Sequence, residues 1–295
     1  MAQTLERLTR RTETMQGIRS IVRTMKTMSA INAAPYEQAA RAIDDWRETV
    51  LDGLQAFLHR KGPLAQEVPR RTRRVLIVMG SDHGLCGNYN ELVAAEAARH
   101  ADGEPAVLCV GAQMEDALRG EGLVPDATLL PPANADGLNR LAGDLVLRIE
   151  ELRGRTLPDG IAVTLVYTQR GEHGRQAPVS QVLLPVDAGL LAGLARRPRP
   201  SPSLPDFSMP APDLLAALIR NLLFATLFRA AAEALVTENA ARLARMQQAE
   251  RSVDERLEDL RAETRTVRQS EITTELLDVI VGFEALKRRP RRPDP

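Results

Sequence analysis

A long antiparallel coiled coil of the N- and C-terminal helices, with an α/β domain inserted between them, is the fold that this 295-residue sequence predicts. Three observations lead there. Both ends of the chain repeat apolar residues every three or four positions over stretches far longer than an ordinary helix. The middle alternates short β-branched runs with helical segments. Aromatic residues are only 3% of the chain, so its cores draw on Ala, Leu and Met, as in helices packed closely along their length.

Residues 1–60 are the N-terminal coiled-coil helix. Leu5, Leu8, Met15, Ile18, Ile21, Val22, Met25 and Met28 fall at helical spacing, and the stripe resumes at Ala39, Ile43, Trp46, Val50, Leu54 and Phe57. Pro35 interrupts it in "NAAPYE". Proline removes a backbone donor and clashes with the preceding turn, so a kink or a complete break is expected there.

Residues 61–210 are the α/β domain, opened by the linker "HRKGPLAQEVPRR" and closed by the Pro-rich connector "ARRPRPSPSLPDFSMPAP". "RVLIVMG", "PAVLCVG", "DATLL", "IAVTLVYT" and "VSQVLLPV" read as strands. "NELVAAEAARH", "AQMEDALRGEG" and "ADGLNRLAGDLVLRIEEL" read as the helices between them. Such alternation gives a mostly parallel sheet in a Rossmann-like domain.

Residues 211–288 are the C-terminal coiled-coil helix, followed by the basic, Pro-rich tail 289–295. Leu243, Met246, Glu250, Val253, Leu257, Leu260, Thr264 and Val267 advance by strict three-four alternation, a heptad seam. After Val267 the apolar pattern slips by one residue to Ile272, Leu276, Val279 and Phe283, which predicts a local change of winding. At ~1.5 Å per residue the terminal helix would be roughly 110 Å long and the first roughly 85 Å. The inserted domain has an expected radius of gyration of only ~13 Å, so the simplest partner for each seam is the other helix.

Composition excludes several classes. Lys plus Arg equals Asp plus Glu at 39 each, so no overall field favours nucleic acid or a membrane surface. Two cysteines make no disulfide framework, which fits a reducing compartment. No run is expected to reach the ~20 apolar residues of a membrane span. The N-terminus is Arg-rich like a transit peptide, but Glu6, Glu13 and the unbroken helical pattern favour mature sequence.

One turn looks like chemistry. Ser81, Asp82, His83, Gly84, Leu85, Cys86 and Gly87 follow a β-branched run and precede a helix, the usual place of a phosphate loop. Their spacing matches neither G-x-G-x-x-G nor G-x-x-x-x-G-K-[ST], which favours a structural corner and leaves a ligand site as the alternative. His83 has no second ligand nearby in sequence, and Cys86 reads as a small buried residue rather than a reactive thiol. No metal and no cofactor are expected. Residues 73–187 carry no Ser-His-Asp or Cys-His arrangement, no paired-carboxylate motif and no metal-ligand spacing.

"IRSIVRTMKTMSAIN", "SDHGLCGNYN", "TENAARLARMQQA" and "RQSEITTELLDVIVGFEAL", in this order, resemble the γ subunit of rotary F-type ATP synthases over nearly the whole chain. The family's Arg-Gln, Ile-Thr and Glu-Leu pairs stand here as Arg268-Gln269, Ile272-Thr273 and Glu275-Leu276. The resemblance implies a central-stalk subunit at the cytoplasmic face of the bacterial inner membrane. Its partners would be the α and β subunits, the ε subunit and the c ring, and catalysis would belong to β. Arg242, Gln269, Thr273 and Glu275 match positions that contact β in the family, and Lys26 matches the stretch where the two helices face each other. The turn 81–87 would lie at the ε and c-ring end. Along residues 242–268, pairs such as Glu238–Arg242 and Glu258–Arg261 have the spacing of ordinary exposed helix pairs.

Departures from the pattern point to a divergent lineage, such as an alternate bacterial ATPase. His83 replaces the family's Arg, Thr264-Arg265 its aromatic-Asn, and Thr168-Gln169-Arg170 its Asn-Lys-Phe. The tail reads as an unstructured end or as a basic contact with the head of the αβ hexamer. Two readings from other classes fit the helices alone: an α/β enzyme dimerised through a coiled coil, and a structural coiled-coil adaptor.

Overall fold

A computed structural model describes residues 2–64, 72–155, 160–171, 174–198, 203 and 205–287. The whole tail 289–295 and parts of both linkers therefore lie outside the described residues. In chain order the elements are α1 (Ala2–Lys61), β1 (Thr72–Met79), α2 (Tyr89–Ala98), β2 (Ala106–Val110), α3 (Ala112–Gly120) and β3 (Ala127–Leu129). A 3-10 turn (Ala135–Gly137), α4 (Leu138–Arg155), β4 (Gly160–Arg170), β5 (Gln176–Leu184), α5 (Ala188–Arg196) and α6 (Ala211–Lys287) complete it. The chain divides into two compact units, Met28–Arg245 and the combination of Met1–Thr27 with Met246–Pro295.

The unit Met28–Arg245 is built on a five-stranded sheet of order β3-β2-β1-β4-β5. β1 pairs in parallel with both β2 and β4, β2 with β3, and only β5 runs antiparallel, against β4. Both faces are covered, which is why the central strand reads as an unbroken apolar run rather than an alternating one. Val75, Ile77 and Met79 pack on one face with Leu141 and Leu145 of α4, Leu227 and Phe228 of α6, and Tyr36 of α1. Leu76 and Val78 pack on the other with Val93 and Ala97 of α2 and Met114 and Leu118 of α3.

Three features of this unit differ from the sequence expectation. Helix α1 runs unbroken through Pro35. An interior proline costs about 3 kcal/mol; Tyr36 and Ala40, buried beside it against the sheet, offset that cost. Helix α5 falls in a stretch with no predicted helix. Asp187 caps it, accepting from the Gly189 and Leu190 N–H groups. Leu190, Leu191 and Leu194 then pack on Val50, Leu51 and Leu54 of α1. The third concerns apolar length: α6 holds a stretch long and apolar enough by composition to cross a bilayer. Leu222, Leu223, Leu227, Phe228 and Ala230–Ala232 of that helix are buried in protein, so one side of it packs within this unit.

In the other unit the two helical segments pair antiparallel, and polar residues take seam positions. Leu8, Thr12, Met15, Arg19, Val22 and Lys26 of α1 form a ladder of shielded positions at strict three-four spacing, with Leu5 and Met25 of the expected stripe half-buried beside it. Ile18 and Ile21 of the expected stripe fall one place off this ladder and are exposed. Facing them are Met246, Glu250, Leu257 and Leu260 of α6. Lys26 Nζ lies 2.6 Å and Arg23 Nε 2.9 Å from the Glu250 carboxylate, and Arg19 pairs with Asp254 at 2.6 Å. Charged groups at seam positions stabilise little by themselves but fix register, because any slip would strand them against apolar neighbours.

The predicted slip after Val267 is absent. The ladder continues through Thr264, Val267, Glu271 and Thr274, which are half-buried. Ile272, Leu276, Val279 and Phe283 are instead 57–69% exposed. The apolar run there is real in sequence, but among the described residues nothing covers it.

Candidate functional site

The turn Ser81–Gly87 connects β1 to α2 and is tied down on three sides. Toward α2, the Ser81 N–H donates to Asn90 Oδ1 at 2.9 Å, while Asn90 Nδ2 donates to Ser81 Oγ at 2.7 Å. Toward α3, Asp82 Oδ1 accepts the Ala112 N–H at 3.2 Å. The residue before that helix is Gly111, which has no side chain to cap it. Glycine is required at this point: a Cβ on Gly111 would stand 2.4 Å from the Ser81 carbonyl oxygen, at φ +105°.

The third side is α6. Arg242 Nη2 donates to the His83 carbonyl at 3.1 Å and Nε to the Gly84 carbonyl at 3.4 Å. Glu238, one helical turn earlier, pairs with Arg242 Nη2 at 2.5 Å. Both are buried. This pair is therefore no exposed helix pair of the kind the spacing suggested. Burial pushes the Glu238 carboxyl above its ordinary range, with the Arg242 charge working against that push. Close by, Tyr89 donates its hydroxyl proton to the Ala234 carbonyl at 2.9 Å, and Thr237 Oγ1 lies 3.2 Å from the same phenol oxygen. The small residues of "AAAEALVTENAA" are what let the helix come this close.

Neither thiol is set up for reaction. Burial raises the Cys86 pKa and pushes Cys109 up to about 12, so the thiolate nucleophile is suppressed in both. Among the described residues, no group of three or more His, Cys, Asp or Glu is placed to hold a metal. The Ser81 N–H is spent on Asn90 and its carbonyl on the Met114 N–H at 3.3 Å. Internal bonds of this kind fix the backbone of the turn.

The remaining candidates separate by unit. Lys26 is in the helix pair, bonded to Glu250. Gln269, Thr273 and Glu275 are exposed on α6. Thr273 Oγ1 donates to the Gln269 carbonyl at 2.8 Å, and these two share a face, four residues apart, while Glu275 points elsewhere around the helix. Arg242 belongs with the turn. Tyr89, Asn90 and Thr237 join it there without having been singled out by sequence, and so does Glu238, whose spacing reads as half of an exposed helix pair. The available signal was a cluster of polar side chains set in an Ala-rich helix, since small neighbours bring polar groups into close contact.

Comparison with known proteins places this architecture. The family model described as ATP synthase matches residues 4–286. The ATP synthase gamma chain of Sinorhizobium fredii is 27% identical over 296 residues, covering 96% of this chain and 99% of the relative. The gamma chain of a Nostoc species is 29% identical over 314 residues, covering 94% and 97%. Among solved structures, a chain of the Euglena gracilis mitochondrial ATP synthase, in an assembly of OSCP, F1 and c-ring, superposes with a TM-score of 0.65 at 16% identity. It covers 100% of this chain and 99% of its own.

Proposed function

Because the chain belongs to the ATP synthase γ-subunit family, we propose that it is the central-stalk rotor subunit of a rotary F1Fo ATP synthase. In this role it transmits torque between the membrane c ring and the catalytic αβ hexamer, and holds no active site of its own. It assembles with α, β and ε subunits and the c ring, and is attached to the bacterial inner membrane peripherally, on the cytoplasmic side, through that complex.

The observation that carries this reading is the match over residues 4–286, joined to the exposed apolar end of α6. Monomeric proteins rarely leave such a surface uncovered, so it calls for a partner outside the chain. Gln269 and Thr273 on the same stretch are the contact residues for β, with Glu275 a further contact on another side of the helix.

Coexpression with α and β subunits tests the assignment. A stable αβ-containing complex is the expected result, and a well-behaved monomer that ignores both subunits would refute it. In the assembled enzyme, Gln269→Ala with Thr273→Ala should lower ion-driven synthesis while each β site still binds nucleotide. Unchanged synthesis would remove both from the contact surface.

A further inference from the structure

The turn at Ser81–Gly87 has a feature that its sequence pattern leaves unexplained. Leu85 adopts φ +65°, in the left-handed region, although its side chain is 58% exposed and gains little from being there. A strained residue persists only where its surroundings over-determine it. Here the two preceding carbonyls, of His83 and Gly84, are both held by one guanidinium, and Cys86 just after is buried with its Sγ 3.5 Å from Ser81 Oγ.

A buried ion pair is not needed for stability, since well-packed apolar residues serve as well. An apolar side chain cannot, however, hold two carbonyl oxygens at once. A guanidinium can, because its donors form a rigid planar fork. Its buried charge then demands a counter-charge, which Glu238 supplies from one turn away.

We propose that Arg242 and Glu238 form a buried positioning latch that locks the turn 81–87 onto helix α6, so that exposed His83 and Leu85 are carried by that helix as one rigid tooth. The latch makes the turn force-bearing, and this second part rests on the rotor reading above.

The two buried thiols supply the test. In the full-length chain, labelling by N-ethylmaleimide is followed separately at Cys86 and Cys109 by mass spectrometry. The double variant Glu238→Gln, Arg242→Met removes both charges together, so no buried ion is left unpaired. It should accelerate labelling of Cys86 by about tenfold or more and leave Cys109, inside strand β2, unchanged. Arg242→Lys keeps the charge opposite Glu238 but lacks the fork, and should accelerate Cys86 to a smaller degree. An unmoved Cys86 in either variant, or equal acceleration of both thiols, overturns the latch. In the assembled enzyme the double variant should retain ATP hydrolysis and pump fewer ions per ATP; pumping in proportion to hydrolysis overturns the force-bearing part. If the wild-type chain fails to assemble with α and β, the rotor reading falls, whereas the thiol result still decides the latch.

Discussion

Two stretches of helix α6 both carry large apolar side chains and have opposite fates. Around residues 222–242 the helix is enclosed: Leu227 and Thr237 are fully buried, and even Glu238 and Arg242 are out of water. Around residues 268–284 the same helix bears Ile272, Leu276, Val279 and Phe283, with Phe283 67% exposed. The first stretch is the richer in apolar residues, but large apolar side chains stand in both. The first stretch has a sheet and a turn to pack against within the chain, whereas the second has no cover among the described residues. Apolar side chains without internal cover are the mark of a surface made for another subunit.

That contrast can be broken by mutation. Leu227→Ala should destabilise the full-length chain by about 2–5 kcal/mol, the range for a fully buried leucine, read by denaturant unfolding. Leu276→Ala should cost under about 0.5 kcal/mol in the same assay and show its effect only as weaker assembly with α and β subunits. Equal costs in the isolated chain would mean that the exposed end is packed after all.

Glycines sharpen the comparison. Gly111→Ala forces a Cβ against the Ser81 carbonyl at a positive φ, and should cost about 2 kcal/mol or more with loss of the ordered turn. Gly282, in the exposed stretch, has nothing within 4 Å of its Cβ position. Gly282→Ala should therefore stabilise the chain by up to about 1 kcal/mol through helix propensity alone. A destabilising Gly282→Ala would reveal an unseen contact.

The helix pair should show its polar seam as a pH dependence. Hydrogen bonds from Lys26 and then Arg23 hold the Glu250 carboxyl below its ordinary value. Its contribution is therefore complete above the ordinary glutamate value of 4.5 and disappears as pH falls through the depressed folded value. Thermal unfolding of wild type and Glu250→Gln should differ modestly at neutral pH and converge in acid. Curves that stay parallel into acid would show that the seam ion pairs contribute nothing.

The smallest effect expected is at the turn. Leu85→Gly removes the left-handed strain but adds chain entropy to the unfolded state, a net gain below about 1 kcal/mol. A clear loss of stability would show that the Leu85 side chain itself holds the turn.

Much of this was legible in the sequence, because hydrophobic periodicity is local information. The strand runs "RVLIVMG" and "IAVTLVYT" each held residues for two buried faces, and β1 and β4 formed there. The seam from Met246 to Val267 was readable for the same reason. Of the two outcomes expected at Pro35, the complete break does not occur, since the local penalty is outweighed by the packing of Tyr36, a contact distant in sequence. Ile18 and Ile21 looked like seam residues until the register, set by Lys26 and Arg19 against α6, turned them outward. Arg242 and Glu238 carried the spacing of an ordinary surface pair, and nothing local revealed that a turn some 158 residues away would close over them.

By itself, then, the sequence determined the elements and which of their residues are apolar, because helix and strand periods are written residue by residue. Only the tertiary structure decided which apolar stripes find cover and which charges are buried. Those outcomes depend on surfaces brought together from distant parts of the chain, whose close packing sets whether a side chain meets protein or water.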